Sequence, residues 1–514
     1  MPANIAFKSI LALTAGACAG IQIPLAAQKP HIILIVSDQH RGDAMNCMGN
    51  PSIITPNMDA LAQDGTLFTN AYTSAPSSTP ARAGLLTGMS PWHHGMLGYG
   101  RVGSRYHYEM PRMLRELDYY TFGIGKMHWF PQKALHGFHG TLIDESGRVE
   151  TEDFISDYHL WFQMHAPGLN PDSTGLGWND HGAAVYKLPE KLHPTAWTAE
   201  TALEMIRNYK HGNGQPLFLK ISFARPHSPY DPPQRLMDLY NGRDVPAPYI
   251  GEWCEEEAYA LPSDPDTAAH DAAFGNFGEE YAKNSRRHYY ANVTFVDEEI
   301  GRIIQALKEE GMYENALICY VSDHGDMLGD HHHWRKTYPY EGSSHIPYIV
   351  KWPARYHFPK GTKVENPVEL RDLLPTFLEA GGGCAPSDMD GQSLFQLMKG
   401  DASLWRRYID MEHATCYSPD NYWCALTDGK IKYIWRFHSG KEELFDLEKD
   451  PHELKDVAEE KAYRAKLLEL RQAMVQHLSE RGEEYVKDGK LQILKRTILY
   501  SPLFPDENPV DTGI

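Results

Sequence analysis

Four short apolar runs, each ending on residues that carry chemistry, constrain this chain's fold most strongly. His31 to Ser37 (HIILIVS) runs into Asp38-Gln39, and Tyr119 to Gly125 runs into Lys126-Met127-His128. Leu217 to Phe223 runs into Arg225-Pro226-His227, and Leu317 to Ser322 (LICYVS) runs into Asp323-His324-Gly325. Near-continuous apolar runs of this length fit strands buried on both faces, the habit of mainly parallel sheets. Helical patterns lie between them. Pro56 to Asp64 is one, and Tyr289 to Glu310 is another, with Val293, Val296, Ile300, Ile303, Ile304 and Leu307 on one stripe. The alternation predicts an α/β fold, a doubly wound, mainly parallel sheet flanked by helices. Such sheets bind ligands outside the carboxyl ends of their strands. One ionisable strand ending is ordinary capping, whereas four together favour a shared site.

The texture changes after about Leu404. Tyr422 to Ala425, Ile431 to Trp435 and Glu443 to Leu447 read as short antiparallel strands, and Ala458 to Arg481 reads as a charged amphipathic helix. We therefore expect a main domain over 28–404 and a smaller C-terminal α+β domain over 405–514. With 514 residues, 42% of them hydrophobic, the chain is long enough for both cores.

Residues 1–27 read as an export signal. Lys8 is the one charge before Lys29, a small-residue apolar stretch runs from Ile10 to Ala27, and Ala-Ala precedes Gln28. Gly16, Gly20, Gln22 and Pro24 argue against a transmembrane anchor. Cys18 follows Ala15-Gly16-Ala17, a loose lipoprotein pattern, but the apolar residues beyond it favour cleavage after Ala27. The expected location is periplasmic or secreted. The net charge of −19 would repel nucleic acid, and any site for a polyanion must gather its cations locally. Without Cys18, the cysteines are Cys47, Cys254, Cys319, Cys384, Cys416 and Cys424, with no metal-type CxxC spacing. Cys416 and Cys424 stand close enough to pair in an oxidising compartment; unpaired buried thiols are the equal alternative.

The most informative segment is Ser78-Thr79-Pro80-Ala81-Arg82-Ala83-Gly84-Leu85-Leu86-Thr87-Gly88. Pro80 suits the first turn of a helix, which would set Ser78 at an N-terminus where the dipole favours negative charge. An ordinary Ser-Thr N-cap would account for these residues equally well in isolation. The pattern Ser-x-Pro-x-Arg continuing to Leu-x-Gly resembles the maturation signature of the formylglycine-dependent sulfatases, in the alkaline phosphatase superfamily. The likeness extends over nearly the whole chain beyond residue 27 and implies a sulfuric ester hydrolase. In that family the first residue of the signature is oxidised to formylglycine (3-oxoalanine). Asp38-Gln39 and Asp323-His324 resemble the two halves of its cation site, with residue 78 nearby, for Ca²⁺ or alternatively Mg²⁺. Many family members have Asp where Gln39 stands and Asn where His324 stands, so the ligand charge is reduced here. Lys126 and His128 match a Lys-x-His element, His227 a central His, and Lys336 a late Lys.

The resemblance implies a mechanism. A hydroxyl of hydrated formylglycine, polarised by the cation, attacks sulfur. Arg82 and Lys126 hold the diol, Lys336 stabilises the sulfate oxygens, His227 protonates the departing alcohol, and His128 takes the last proton to expel sulfate. The serine form of the signature implies a serine-type sulfatase-maturing enzyme as partner. The expected substrate is a sulfated saccharide, with His94, Tyr99, Arg101, Trp334 and Arg335 as candidate contacts. The run His331 to His333 reads as a solvated loop beside the site rather than a metal tract. Glu443 to Pro451 also resembles a family landmark, one that builds the small domain's sheet. Two rival functions remain: a phosphate or phosphonate monoester hydrolase of the same superfamily, and a non-catalytic glycan-binding protein.

Overall fold

A computed structural model describes residues 28–209, 214–254 and 270–507. The export segment and Cys18 lie outside the described residues. The strands follow in chain order: β1 (His31–Asp38), β2 (Thr66–Phe68), β3 (Ala71–Tyr72), β4 (Tyr120–Gly125), β5 (Gly140–Leu142), β6 (Leu217–Pro226) and β7 (Ala316–Ser322). They continue with β8 (Tyr348–Lys351), β9 (Thr362–Val364), β10 (Val368–Glu369), β11 (Ile409–His413), β12 (Trp423–Thr427), β13 (Ile431–Arg436) and β14 (Glu442–Asp446).

The main sheet has eight strands in the order β5-β4-β6-β1-β7-β8-β2-β9. The first five run parallel, and β8 is antiparallel to both its neighbours. The four apolar runs read from the sequence are β1, β4, β6 and β7. They lie side by side, so their carboxyl ends open on one edge. β1 shows why its run is continuous. Ile33 and Ile35 pack with Tyr289, Val293, Val296, Ile300, Ile303 and Leu307 of the Glu279–Glu309 helix. Ile32, Leu34 and Val36 pack on the opposite face, with Ala81, Ala83, Leu85 and Leu86 of the Ser78–Thr87 helix. A strand covered on both faces has no solvent side on which polar residues would alternate.

The Glu279–Glu309 helix starts ten residues before the stripe that marked it. Its first turns (EEYAKNSRRH) carry charge in place of apolar periodicity, and the acidic Glu279 and Glu280 suit the helix N-terminus. The C-terminal sheet, β11-β12-β13-β14, is antiparallel. One face takes Leu470, Met474 and Leu478 from the Arg464–Leu478 helix. The other packs Ile409, Met411, Trp423 and Phe445 against Tyr72, Met327, Tyr338 and Tyr340. β11 (IDMEH) was not legible in the sequence, because its charged Glu412 is buried in an ion pair with Arg481 at 2.7 Å. All six described cysteines are free, Cys416 and Cys424 both buried and unbridged. No helix among the described residues is long and apolar enough to cross a membrane.

Candidate active site

Ser78 opens the Ser78–Thr87 helix, and the path of that helix sets where chemistry can occur. Pro80 needs no amide donor in a first turn, and Ala81, Ala83 and Gly84 add little bulk, so all ten residues are buried. The helix stops at Gly88, whose φ of 70° is the left-handed conformation that glycine adopts without strain. Its N-terminus faces the ends of β1 and β7. Ser78 Oγ lies 3.4 Å from Asp38 Oδ2 and 3.0 Å from His324 Nε2.

Asp38, Asp323 and His324 bring ligand-type atoms within 4.8 Å of one another. Asp38 Oδ1 is buried with no hydrogen-bond donor. His324 Nδ1 donates to Gly325 O at 2.9 Å, which leaves Nε2 as an acceptor facing the carboxylates. A donor-poor carboxylate oxygen beside an imidazole lone pair fits a divalent cation. Gln39 sits at their edge. Its Nε2 donates to Asp326 Oδ2 at 2.5 Å, and its Oε1 accepts from Lys336 Nζ at 2.7 Å.

The cations are equally buried. Arg82 pairs with Asp38 Oδ2 at 3.0 Å and with Asp323 Oδ2 at 2.9 Å. Lys126 Nζ lies 2.7 Å from Asp38 Oδ2. Burial alone would raise the Asp38 carboxyl pKa, but Lys126, His227 and Arg82 hold it well below the usual range. Burial and the Arg335 charge push Lys336 down to about 7. His227 Nδ1 donates to Ser228 O at 3.0 Å, and its Nε2 stands 2.6 Å from Lys336 Nζ. Burial, Lys336 and Lys126 hold the His227 pKa well below an ordinary histidine's. With Nδ1 donating to Ser228 O, Nε2 presents its lone pair to Lys336 Nζ. Burial, with Arg148 and Lys126 alongside, likewise lowers the His128 pKa well below an ordinary histidine's.

A cavity of ≈ 320 Å³ opens over Ser78 and His128. Of the residues singled out as substrate contacts, Tyr99, Arg101 and Arg335 line it. His94 and Trp334 do not. His94 is buried, with Nδ1 accepting from Met96 N. Trp334 is 1% exposed, donates Nε1–H to Gly275 O and packs on Phe277 and Ala282. We expect Trp334→Ala to act through stability, costing about 3–5 kcal/mol. A fall in Tm with an unchanged KM checks this. His331 and His332 are also buried, in contrast to the solvated loop expected. His331 Nδ1 accepts from Gly251 N, and its ring packs on Trp253.

The sequence did not mark Glu145, Arg148, Glu150, Trp178, Asn179 and Tyr417. Glu145 Oε1 accepts from the Met127 and His128 amides at 3.0 and 2.8 Å and so fixes the loop bearing both catalytic candidates. It follows β5, another strand ending on carboxylates, but three residues are too few to show as a run.

Buried cations grouped around a helix N-terminus, with a proton held beside them, suit attack on an anionic ester, and the class this defines is an ester hydrolase. The Sulfatase family profile matches residues 30–383, and a second, N-sulphoglucosamine sulphohydrolase, C-terminal, matches residues 329–480. The chain belongs to the sulfatase family and is a sulfuric ester hydrolase. It is 36% identical to an arylsulfatase of Clostridium perfringens over 480 residues, covering 90% of this chain and 97% of the relative. It is 26% identical to an N-acetylglucosamine-6-O-sulfatase of Bacteroides thetaiotaomicron, covering 96% of this chain and 92% of the relative. A phosphonate monoester hydrolase of Agrobacterium radiobacter superposes with a TM-score of 0.73 at 26% identity, over 88% of this chain and 96% of that one. A structure with bound D-glucosamine-2-N,6-O-disulfate superposes at 0.70 and 22% identity, over 88% and 98%, which speaks to the fold alone.

Proposed function

We propose that the chain hydrolyses a sulfate ester on a saccharide, using formylglycine made from Ser78 and one divalent cation, calcium or magnesium. The observation that carries this reading is Ser78 Oγ lying against both Asp38 and His324. The N-acetylglucosamine-6-O-sulfatase among its relatives supports a saccharide substrate. Hydrated formylglycine supplies a nucleophile that can release sulfate by returning to the aldehyde, a route closed to a plain serine ester. A cation held by Asp38, Gln39, Asp323 and His324 would supply Lewis-acid polarisation. In this reading Arg82 and Lys126 fix residue 78, and Lys336 meets the sulfate oxygens. The Lys336–His227 proton goes to the departing alcohol from His227 Nε2, and His128 accepts the proton of residue 78.

We expect protein purified from its native host to lack two hydrogens at residue 78, read by peptide mass spectrometry. An unmodified Ser78 in fully active protein would overturn the mechanism. A host without a serine-type maturing enzyme should yield folded, nearly inactive protein. We further infer export through residues 1–27 to the periplasm or medium, with a lipid anchor at Cys18 as the alternative, and a domain division near Leu404.

The likeness to the phosphonate monoester hydrolase favours one second reading, a phosphate or phosphonate ester hydrolase. Turnover of a sulfate and a phosphate ester of the same alcohol decides between them, the faster ester naming the activity.

A further inference from the structure

We propose that Arg148 binds a second anionic group of the substrate, a carboxylate or another sulfate ester, beside the sulfate that is cleaved. This rests on the sulfatase reading above. Arg148 lines the cavity yet is only 7% exposed. Its Nε and Nη1 are buried without an acceptor. The paired carboxylate, Glu145 Oε2, is 3.9 Å from Nη1, beyond hydrogen-bond reach. A buried guanidinium with unmet donors is costly, and a substrate anion would meet them.

Arg148 is also held ready. Its carbonyl accepts from Gln132 Nε2 at 3.0 Å, and its guanidinium lies 4.7 Å from the Trp178 ring centroid. A fork fixed before binding loses little freedom when the ligand arrives, and its planar shape matches both carboxylate and sulfate. The surroundings agree. Arg101, Arg148, Arg335 and Lys336 line the cavity against one carboxylate, Glu150, in a chain of net charge −19. Arg335, over the Tyr417 ring at 4.6 Å, likewise leaves its Nε without an acceptor. The cations assigned to residue 78 and to the cleaved sulfate are different. Arg82, Lys126 and Lys336 are already bonded to Asp38, Asp323 and Gln39, whereas Arg148 bonds to none of these. Trp178, 40% exposed, offers an apolar ring at the same wall for the sugar that bears the second anion.

The test compares kcat/KM for two saccharides that share one cleavable sulfate and differ by one further anionic group. Wild-type enzyme should prefer the dianionic member by about 10–100-fold, the worth of a charge-assisted hydrogen-bonded pair. Arg148→Gln should bring that ratio to within about threefold of unity, and Arg148→Lys should leave it between the two, since the charge remains but the fork is lost. An unchanged ratio in either folded variant overturns the proposal. So does an equal loss on all sulfate esters, nitrophenyl sulfate included, which would assign Arg148 to the cleaved sulfate. Absence of sulfate-ester turnover in mature wild-type enzyme would instead overturn the sulfatase reading, and this proposal with it.

Discussion

His227→Ala is expected to cut turnover of a sugar sulfate about 10²–10⁴-fold more than turnover of nitrophenyl sulfate. A general acid matters in proportion to the basicity of the leaving group, and nitrophenolate leaves with little help. Nδ1 of His227 is committed to the Ser228 carbonyl, so Nε2 accepts from Lys336 Nζ at 2.6 Å, and it is through Nε2 that a proton would reach the alcohol. Lys336 lines the cavity and donates to His227 Nε2, so its removal should cost activity on both substrates through the sulfate oxygens and more on the sugar sulfate through His227. In the proposed mechanism His128, whose amide is tied to Glu145, would act after the alcohol has gone, so His128→Ala should lose activity equally on both substrates. Equal losses in His227→Ala would leave it as a binding residue. A selective loss in His128→Ala would mean the two histidines exchange roles.

Asp38→Ala should abolish metal binding and activity while leaving the protein folded but weaker. Asp38 Oδ2 receives both Arg82 and Lys126, and all three side chains are wholly buried. Arg82 keeps Asp323 as a partner, but Lys126 loses its counter-charge. Breaking one partner from a buried pair costs about 3–5 kcal/mol. A protein with about 5–15 kcal/mol of stability survives that with a lower Tm. Elemental analysis should find one divalent ion per wild-type chain and none in Asp38→Ala or Asp323→Ala. Full occupancy in both variants would refute the ligand assignment. Asp38→Asn separates the effects: it keeps the shape and an oxygen ligand but not the charge, so metal affinity should fall between the two.

Membership of the sulfatase family was legible because its signature is contiguous, from Ser78 to Gly88, and needs no tertiary information. Arg148 and Trp178 carried no signal, because neither ends a recognisable run and neither belongs to a motif.

The sequence by itself determined the strands and the residues at their ends. β1, β6 and β7 are buried on both faces, and β4 over its last three residues, so burial wrote itself into the chain as apolar runs, and Asp38, Lys126, His227 and Asp323 stop those runs. Periodicity reports how much of an element is covered, not which loops meet above it. Only the tertiary structure could bring Lys336 against His227, one hundred and nine residues away, or turn Arg148 over Trp178. It also sent Trp334 and His331 into packed interiors although both neighbour Lys336 in sequence. Adjacent residues in a loop have no fixed period, so their directions are set by whatever elements pack against them. Here those elements are the Glu279–Glu309 helix and the C-terminal sheet, far along the chain from the loops they shape.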